Sequence, residues 1–167
     1  MAQPDYEAIM AALVEMVGAD QAMRKRAVQD SSAWDAALDE AHQRHLEEII
    51  DYIGWPTIPL VGAEASHAAW LIAQHAPNLA FMERCLELMQ NLPAESIHPA
   101  NIAYLQDRVM TRRGKLQVYG TQFVDMGDGL HVYPIQDPDH VDERRASVGL
   151  GPFAEYEAQI IRAHAHI

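Results

Sequence analysis

Leu46, Ile49, Ile50 and Ile53 recur at intervals of three and four residues, which gathers them on one side of an α-helix and on no single face of a strand. The same period returns at Ile9, Leu13, Met16 and Val17, at Met82, Cys85, Leu86 and Met89, and at Ile102, Leu105 and Val109. Each stripe has to be covered by another helix, so the chain is expected to fold as a mainly α, single-domain helical bundle over residues 1–167. Helices are predicted over about 4–27, 32–53, 63–76, 79–92 and 100–112, with shorter ones over about 139–148 and 152–164.

Local punctuation supports these bounds. Pro4 and Asp5 suit a first helical turn, Ser31 or Ser32 can cap the second helix, and Gly54 can end it. "GWPTIPLVG" then reads as a connector in which Pro56 and Pro59 forbid regular helix. The run Ala68 to Ala73 is apolar all round, so the third helix is expected at the centre of the bundle. Lys115 to Val124 and Leu130 to Ile135 read as two strands of one small antiparallel β-hairpin, spanning about 115–135 and joined by "DMGDG".

Composition excludes several classes of partner. The formal net charge is -12, with 24 acidic against 12 basic residues, so the chain has no basic footprint for nucleic acid or an anionic membrane. The lone Cys85 rules out an intrachain disulfide and fits a reducing, cytoplasmic setting. "MAQPDYEAIMAALVEM" reads as an amphipathic helix and not as a signal peptide, and no apolar run approaches membrane-spanning length. No Gly-rich phosphate loop, His-Glu-x-x-His helix, Gly-x-Ser-x-Gly elbow or calcium loop occurs, so no cofactor and no metal is assigned.

The informative polar residues are those that fall on apolar stripes. Continuing the first stripe reaches Asp20 and then Arg24, and running the second backwards reaches His42, Asp39 and Asp35. A buried carboxylate requires a partner, a shifted pKa or a wet cavity; alternatively both stripes merely surface at those helix ends. His75, in the last turn of the third helix, is the best acid/base candidate, with capping of its own helix end as the plain alternative. His67 lies about 80° away around an ideal helix and is poorly placed as its ligand partner. Asp107 and Arg108 are adjacent and must engage different partners. His42, His45 and Glu48 form a ladder better read as a solvated charged face than as metal ligands, and His164 and His166 carry a weak signal. Cys85 reads as core and not as a nucleophile.

On a regular strand, Gln117, Tyr119 and Thr121 share one face, and a kink at Gly120 would bring Gln122 round toward them. An exposed cross-strand ladder is the competing reading. Taken together, Asp20-Gln21-x-x-Arg24, Asp39 ahead of Gly54-Trp55-Pro56, Gln74-His75, Leu105-x-Asp107-Arg108, Gln117-x-Tyr119-Gly120-Thr121-Gln122 and Arg144-Arg145 before Gly149-Leu150 form a spaced set over about residues 20–156. This set resembles a broad bacterial family of unknown function. The resemblance implies that these polar residues belong to one site; His42 departs from the family's pattern, which tends to have asparagine there.

The expected function is a small cytosolic enzyme acting by general acid/base chemistry, as a hydrolase or in another proton transfer, on a polar small molecule or peptide side chain. His75 is the expected acid/base group, with Asp107 or Asp39 orienting it or serving as a second carboxylate. Arg24 or Arg108 is expected to hold an anionic group, Asp20 to lie in the binding site, and Gln117, Tyr119 and Gln122 to bind substrate or an oxyanion. The alternatives are a noncatalytic accessory protein anchored by Trp34, Trp55 or Trp70, and a metal-dependent enzyme using Asp20, Asp39 and His75.

Overall fold

In the computed structural model, which describes residues 3–165, the fold is mainly α-helical, with seven α-helices and one two-stranded antiparallel sheet among those residues. The sequence predicts one domain. The backbone packs as two compact units, Met1–His98 and Pro99–Ile167.

The first unit contains α1 (Tyr6–Gln29), α2 (Ala36–Ile53), α3 (Ile58–His75) and α4 (Leu79–Gln90). α3 packs against each of the other three, as its apolar circumference predicts. Ala65, Ala68, Ala69 and Ala73 are all buried on it, and such small side chains let neighbouring helices approach closely. Leu13, Met16 and Met23 of α1, Leu46, Ile49 and Ile50 of α2, and Met82, Cys85 and Met89 of α4 complete this core. Cys85 is fully buried, and that burial pushes its thiol up to about 12, so it is an inert part of the packing.

Helix starts differ from the sequence expectation in instructive ways. Asp5 caps α1 from outside, accepting from the amide of Ala8, so Pro4 precedes the helix. α2 is capped by Asp35, whose carboxylate accepts from Ala37 and Leu38, and not by Ser31 or Ser32; those serines form a short 3-10 turn with Ala33, itself capped by Asp30. A carboxylate is a good acceptor at a helix N-terminus and also meets the positive end of the dipole. The connector reading of "GWPTIPLVG" fails for its second half. Pro59 falls in the first turn of α3, where no amide hydrogen is needed, and one helical turn forms before Gly62 (φ 78°) breaks the direction.

The second unit contains α5 (Pro99–Arg112), β1 (Phe123–Asp125), β2 (Leu130–Val132), α6 (Val141–Ser147) and α7 (Phe153–Ala165). β1 and β2 pair antiparallel with Phe123 opposite Val132 and Asp125 opposite Leu130, which leaves Met126 to Gly129 as the loop. The long strands expected over 115–135 are not formed. Gln117 makes only an isolated bridge to Ile135, and Val118 to Thr121 curl away from any sheet, because a buried carboxylate gathers the amides of Val118, Tyr119 and Thr121. α6 is shorter than predicted, since Pro138 to His140 form a 3-10 turn ahead of it. His164 pairs with Asp125 at 3.1 Å, while His166 lies outside the described residues.

Candidate functional site

In the first unit, three helices bring Asp20, Arg24, Asp39 and His75 together. Asp20 and Arg24 are one turn apart on α1, Asp39 lies in the first turn of α2, and His75 ends α3. Arg24 Nε donates to Asp20 Oδ1 at 2.9 Å and Nη2 donates to Asp39 Oδ1 at 2.7 Å. His75 Nδ1 lies 3.0 and 2.9 Å from the two oxygens of Asp20, and Gln21 Nε2 donates to Oδ2 at 2.8 Å. The four residues are no surface pairing: Asp20 is fully buried, Asp39 is 8% exposed, and His75 and Arg24 are 17% and 21% exposed.

The charge of Asp20 favours one histidine tautomer. Burial pushes the Asp20 carboxyl up, but the hydrogen bond and charge of His75, the amide of Gln21 and the charge of Arg24 outweigh it and hold the group below its ordinary value. An ionised Asp20 can only accept, so Nδ1 of His75 carries the hydrogen and donates it. Arg24 Nε, 2.9 Å from His75 Nδ1, is also placed to donate to that nitrogen; the tautomer that lets Nδ1 donate to Asp20 gives up this bond and keeps the stronger one to the carboxylate. The basic nitrogen of a neutral His75 is therefore Nε2.

Asp39 behaves differently. Burial raises its carboxyl foremost and the negative charge of Asp20 adds to that, against Arg24, His75 and His42, so it lies above the ordinary range. His42, one turn further along α2, is buried at 8% exposure with Nδ1 unpaired. Burial lowers its pKa, helped by His45 and Arg24 and opposed by Asp20 and Asp39. His45 and Glu48 are exposed, so the ladder splits: those two sit on a solvated face while His42 points inward.

The sign of the His42 effect gives a test. Below about pH 6.5 an unfolded chain protonates this histidine while the folded chain, with its lowered value, does not. Stability conferred by a neutral His42 is thus present above that pH and is lost as the pH falls toward the folded value. Urea titrations between about pH 7 and pH 5 should show His42→Gln losing less stability on acidification than the parent chain. Parallel slopes would refute the assignment.

The guanidinium of Arg24 stands between Asp20 and Asp39, where a ligand set of Asp20, Asp39 and His75 would place a metal ion. Among the described residues no group of three or more His, Cys, Asp or Glu is arranged to hold one. Of the three tryptophans, Trp55 and Trp70 are buried at 3% and 8% exposure. Trp34 is 51% exposed, and the Arg24 guanidinium carbon lies 4.8 Å from its ring centroid.

In the second unit the predicted residues serve a different structure. Asp107, fully buried on α5, accepts from the amides of Val118, Tyr119 and Thr121 at 2.7 to 3.1 Å and from the Thr121 hydroxyl at 3.0 Å. Gln117, also without exposed surface, donates to the carbonyls of Gln122 and Tyr133 and accepts from the Gln122 amide. Gln122 Nε2 donates to Thr121 Oγ1. Gly120 does kink the chain, at φ 69°. Tyr119 is half-buried; burial raises its phenol, with the charge of Asp107 adding and Arg144 opposing. Arg108 is half-buried on α5, and its charge reaches Tyr156.

Two residues that sequence reasoning quoted without assigning a role close this loop. Arg144 Nε donates to Val118 O at 2.9 Å. Arg145, 1% exposed, donates to Tyr119 O at 2.7 Å and Gly151 O at 2.6 Å, with its guanidinium 4.8 Å from the Tyr156 ring centroid. The hydrogen-bonding capacity of residues 117–122 is thus largely taken up by backbone that has left the sheet.

The profile of a family of unknown function (DUF6624) matches residues 7–165. The chain belongs to that family. No curated protein and no solved structure matches it. The match spans both units, so this family member's two polar clusters fall within the matched span. No helix among the described residues is long and apolar enough to cross a membrane.

Proposed function

We propose that the first unit carries a general acid/base centre at His75, acting on a polar small molecule or peptide side chain by hydrolysis or another proton transfer. The observation that supports this reading is the grip of Asp20 on Nδ1 of a histidine that retains some exposure. A carboxylate so placed fixes the tautomer, aims the ring and stabilises the imidazolium formed when Nε2 takes a proton. Nε2 accepts the proton of a water or substrate hydroxyl and returns it to the leaving group. Arg24 keeps Asp20 and Asp39 apart while neutralising part of their charge, and Asp39 serves as the second carboxylate.

The test begins with a panel of carboxylic ester, amide and phosphoester substrates. An activity found there should fall about 100-fold or more in His75→Gln, as expected for removal of a general base. Asp20→Asn should lower kcat more than it raises KM and move the acidic limb of the pH profile, because the ring loses its orienting acceptor. Nitrogen NMR should show Nδ1 protonated in the neutral ring. Turnover unchanged in His75→Gln, or a neutral ring protonated at Nε2, would overturn the reading.

A second reading, a noncatalytic ligand- or partner-binding protein, draws on Trp34, the one tryptophan with an open face. It expects saturable quenching of Trp34 fluorescence by a ligand that His75→Gln still binds and neither protein converts.

A further inference from the structure

α1 and α2 do not fill the space between them. Ala12, Met16 and Ala19 of α1, at intervals of four and three residues, and Leu38, Ala41 and His42 of α2, at intervals of three and one, line a cleft of about 450 Å³. Ala12, Ala19 and Ala41 end at Cβ, so the room that longer side chains would take stays open. Glu15 and His45, both exposed, border it. The cleft lies within the first unit, and its lining includes none of Asp20, Arg24, Asp39 and His75. Its volume is that of a small-molecule site.

One buried polar side chain interrupts this apolar lining. His42 is more than nine-tenths buried, and its Nδ1, shielded from solvent, has no hydrogen-bond partner among the described residues. A buried polar atom without a partner opposes folding, so such atoms are uncommon and are kept where they serve something else. Burial holds the ring toward its neutral form, although the charges of Asp20 and Asp39 favour the cation. A neutral imidazole has one donor and one acceptor nitrogen, and a hydroxyl is both, so a hydroxyl meets the ring in either tautomer. An anion would be opposed by Glu15 at the border and by the same two aspartates. An ammonium would have to shed its water against alanine, leucine and methionine side chains.

We propose that the cleft between α1 and α2 binds an uncharged, mostly apolar small molecule that carries a hydroxyl, with its apolar body against Met16, Leu38 and the alanines and its hydroxyl hydrogen-bonded to the His42 imidazole. The site is separate from His75 and does not depend on the acid/base reading. The hydroxyl supplies the partner that the ring lacks, and the apolar body covers surface that the alanines leave open. Nδ1 reaches the hydroxyl by a turn of the ring about its Cβ–Cγ bond, which exchanges that nitrogen with a ring carbon of similar size.

Benzyl alcohol, toluene, benzoate and benzylammonium place a hydroxyl, no polar group, an anion and a cation on one ring, and their binding to the full-length protein can be followed through the Met16 methyl resonance. Benzyl alcohol should shift that signal and the His42 ring resonances saturably, and should bind more tightly than either ion by about fivefold or more. Alcohol and hydrocarbon differ in their own solvation, so the part played by His42 is read from a ratio. His42→Leu, close to the parent in volume, should lower the affinity for benzyl alcohol relative to toluene by about tenfold. Ala19→Leu, a change at an exposed helix position that fills the cleft, should abolish the binding of both. A Met16 signal indifferent to benzyl alcohol, an ion bound as tightly as the alcohol, a ratio unchanged in His42→Leu, or undiminished binding in Ala19→Leu would each overturn the proposal.

Discussion

Asp107→Ala should unfold the second unit at markedly lower temperature than the parent chain, by about 10 °C or more, corresponding to roughly 3–5 kcal/mol. The cause lies in what stays behind. Three backbone amides and one hydroxyl now end on the fully buried Asp107 carboxylate, and removing the acceptor leaves those donors without it. Asp107→Asn is the more diagnostic variant, since it keeps the volume but turns one oxygen into a donor. Whichever way its amide faces, an N–H is set against the donors of Val118 and Tyr119 or against those of Thr121. It should recover little of the loss. Thermal unfolding followed by circular dichroism measures both, and a variant within about 1 kcal/mol of the parent would contradict the role given to Asp107.

Gly120→Ala should be nearly as costly, by about 3 kcal/mol, for a reason independent of hydrogen bonding. The backbone there has φ 69°, a conformation that any side chain adopts under strain. A Cβ at this position would also lie 2.8 Å from the Phe153 ring and 2.9 Å from Ile135 Cδ1. The Phe153 ring, in the first turn of α7, is the contact that cannot give way cheaply, whereas Ile135 Cδ1 is the end of a side chain that can turn aside. The double variant Gly120→Ala, Phe153→Leu should recover part of the loss, the steric part, while the backbone strain persists. Full recovery would show that φ matters less than space.

The two clusters were not equally legible in the sequence. Asp20, Arg24, Asp39 and His75 stand on helices, where a period of 3.6 residues converts spacing into direction, so continuing an apolar stripe leads to the polar residues that share its face. That argument needed no knowledge of partners. The same stripe also passes through Asp35, to which it assigned no role; the helix begins one residue after it and its carboxylate is spent on the cap. Residues 117–122 defeated pattern reading. Their alternation imitates a strand, but the direction of each side chain is set by Asp107, ten or more residues earlier on a helix, and nothing in the local spacing announces that. Arg145 was quoted without a role for a related reason: it is satisfied by carbonyls and aromatic rings, which no helical spacing announces. The split into two compact units left no mark either, since the junction at His98 and Pro99 carries no linker-like run.

Tyr119 has one further consequence for how the second unit is built. Its amide points to a buried anion, Asp107, and its carbonyl to a buried cation, Arg145. One peptide segment therefore serves two charged side chains at once, its amide the carboxylate and its carbonyl the guanidinium. Neither end can be released alone without stranding an ion in the interior. The loop is accordingly expected to open as one unit, since a half-released segment would leave a buried charge short of partners.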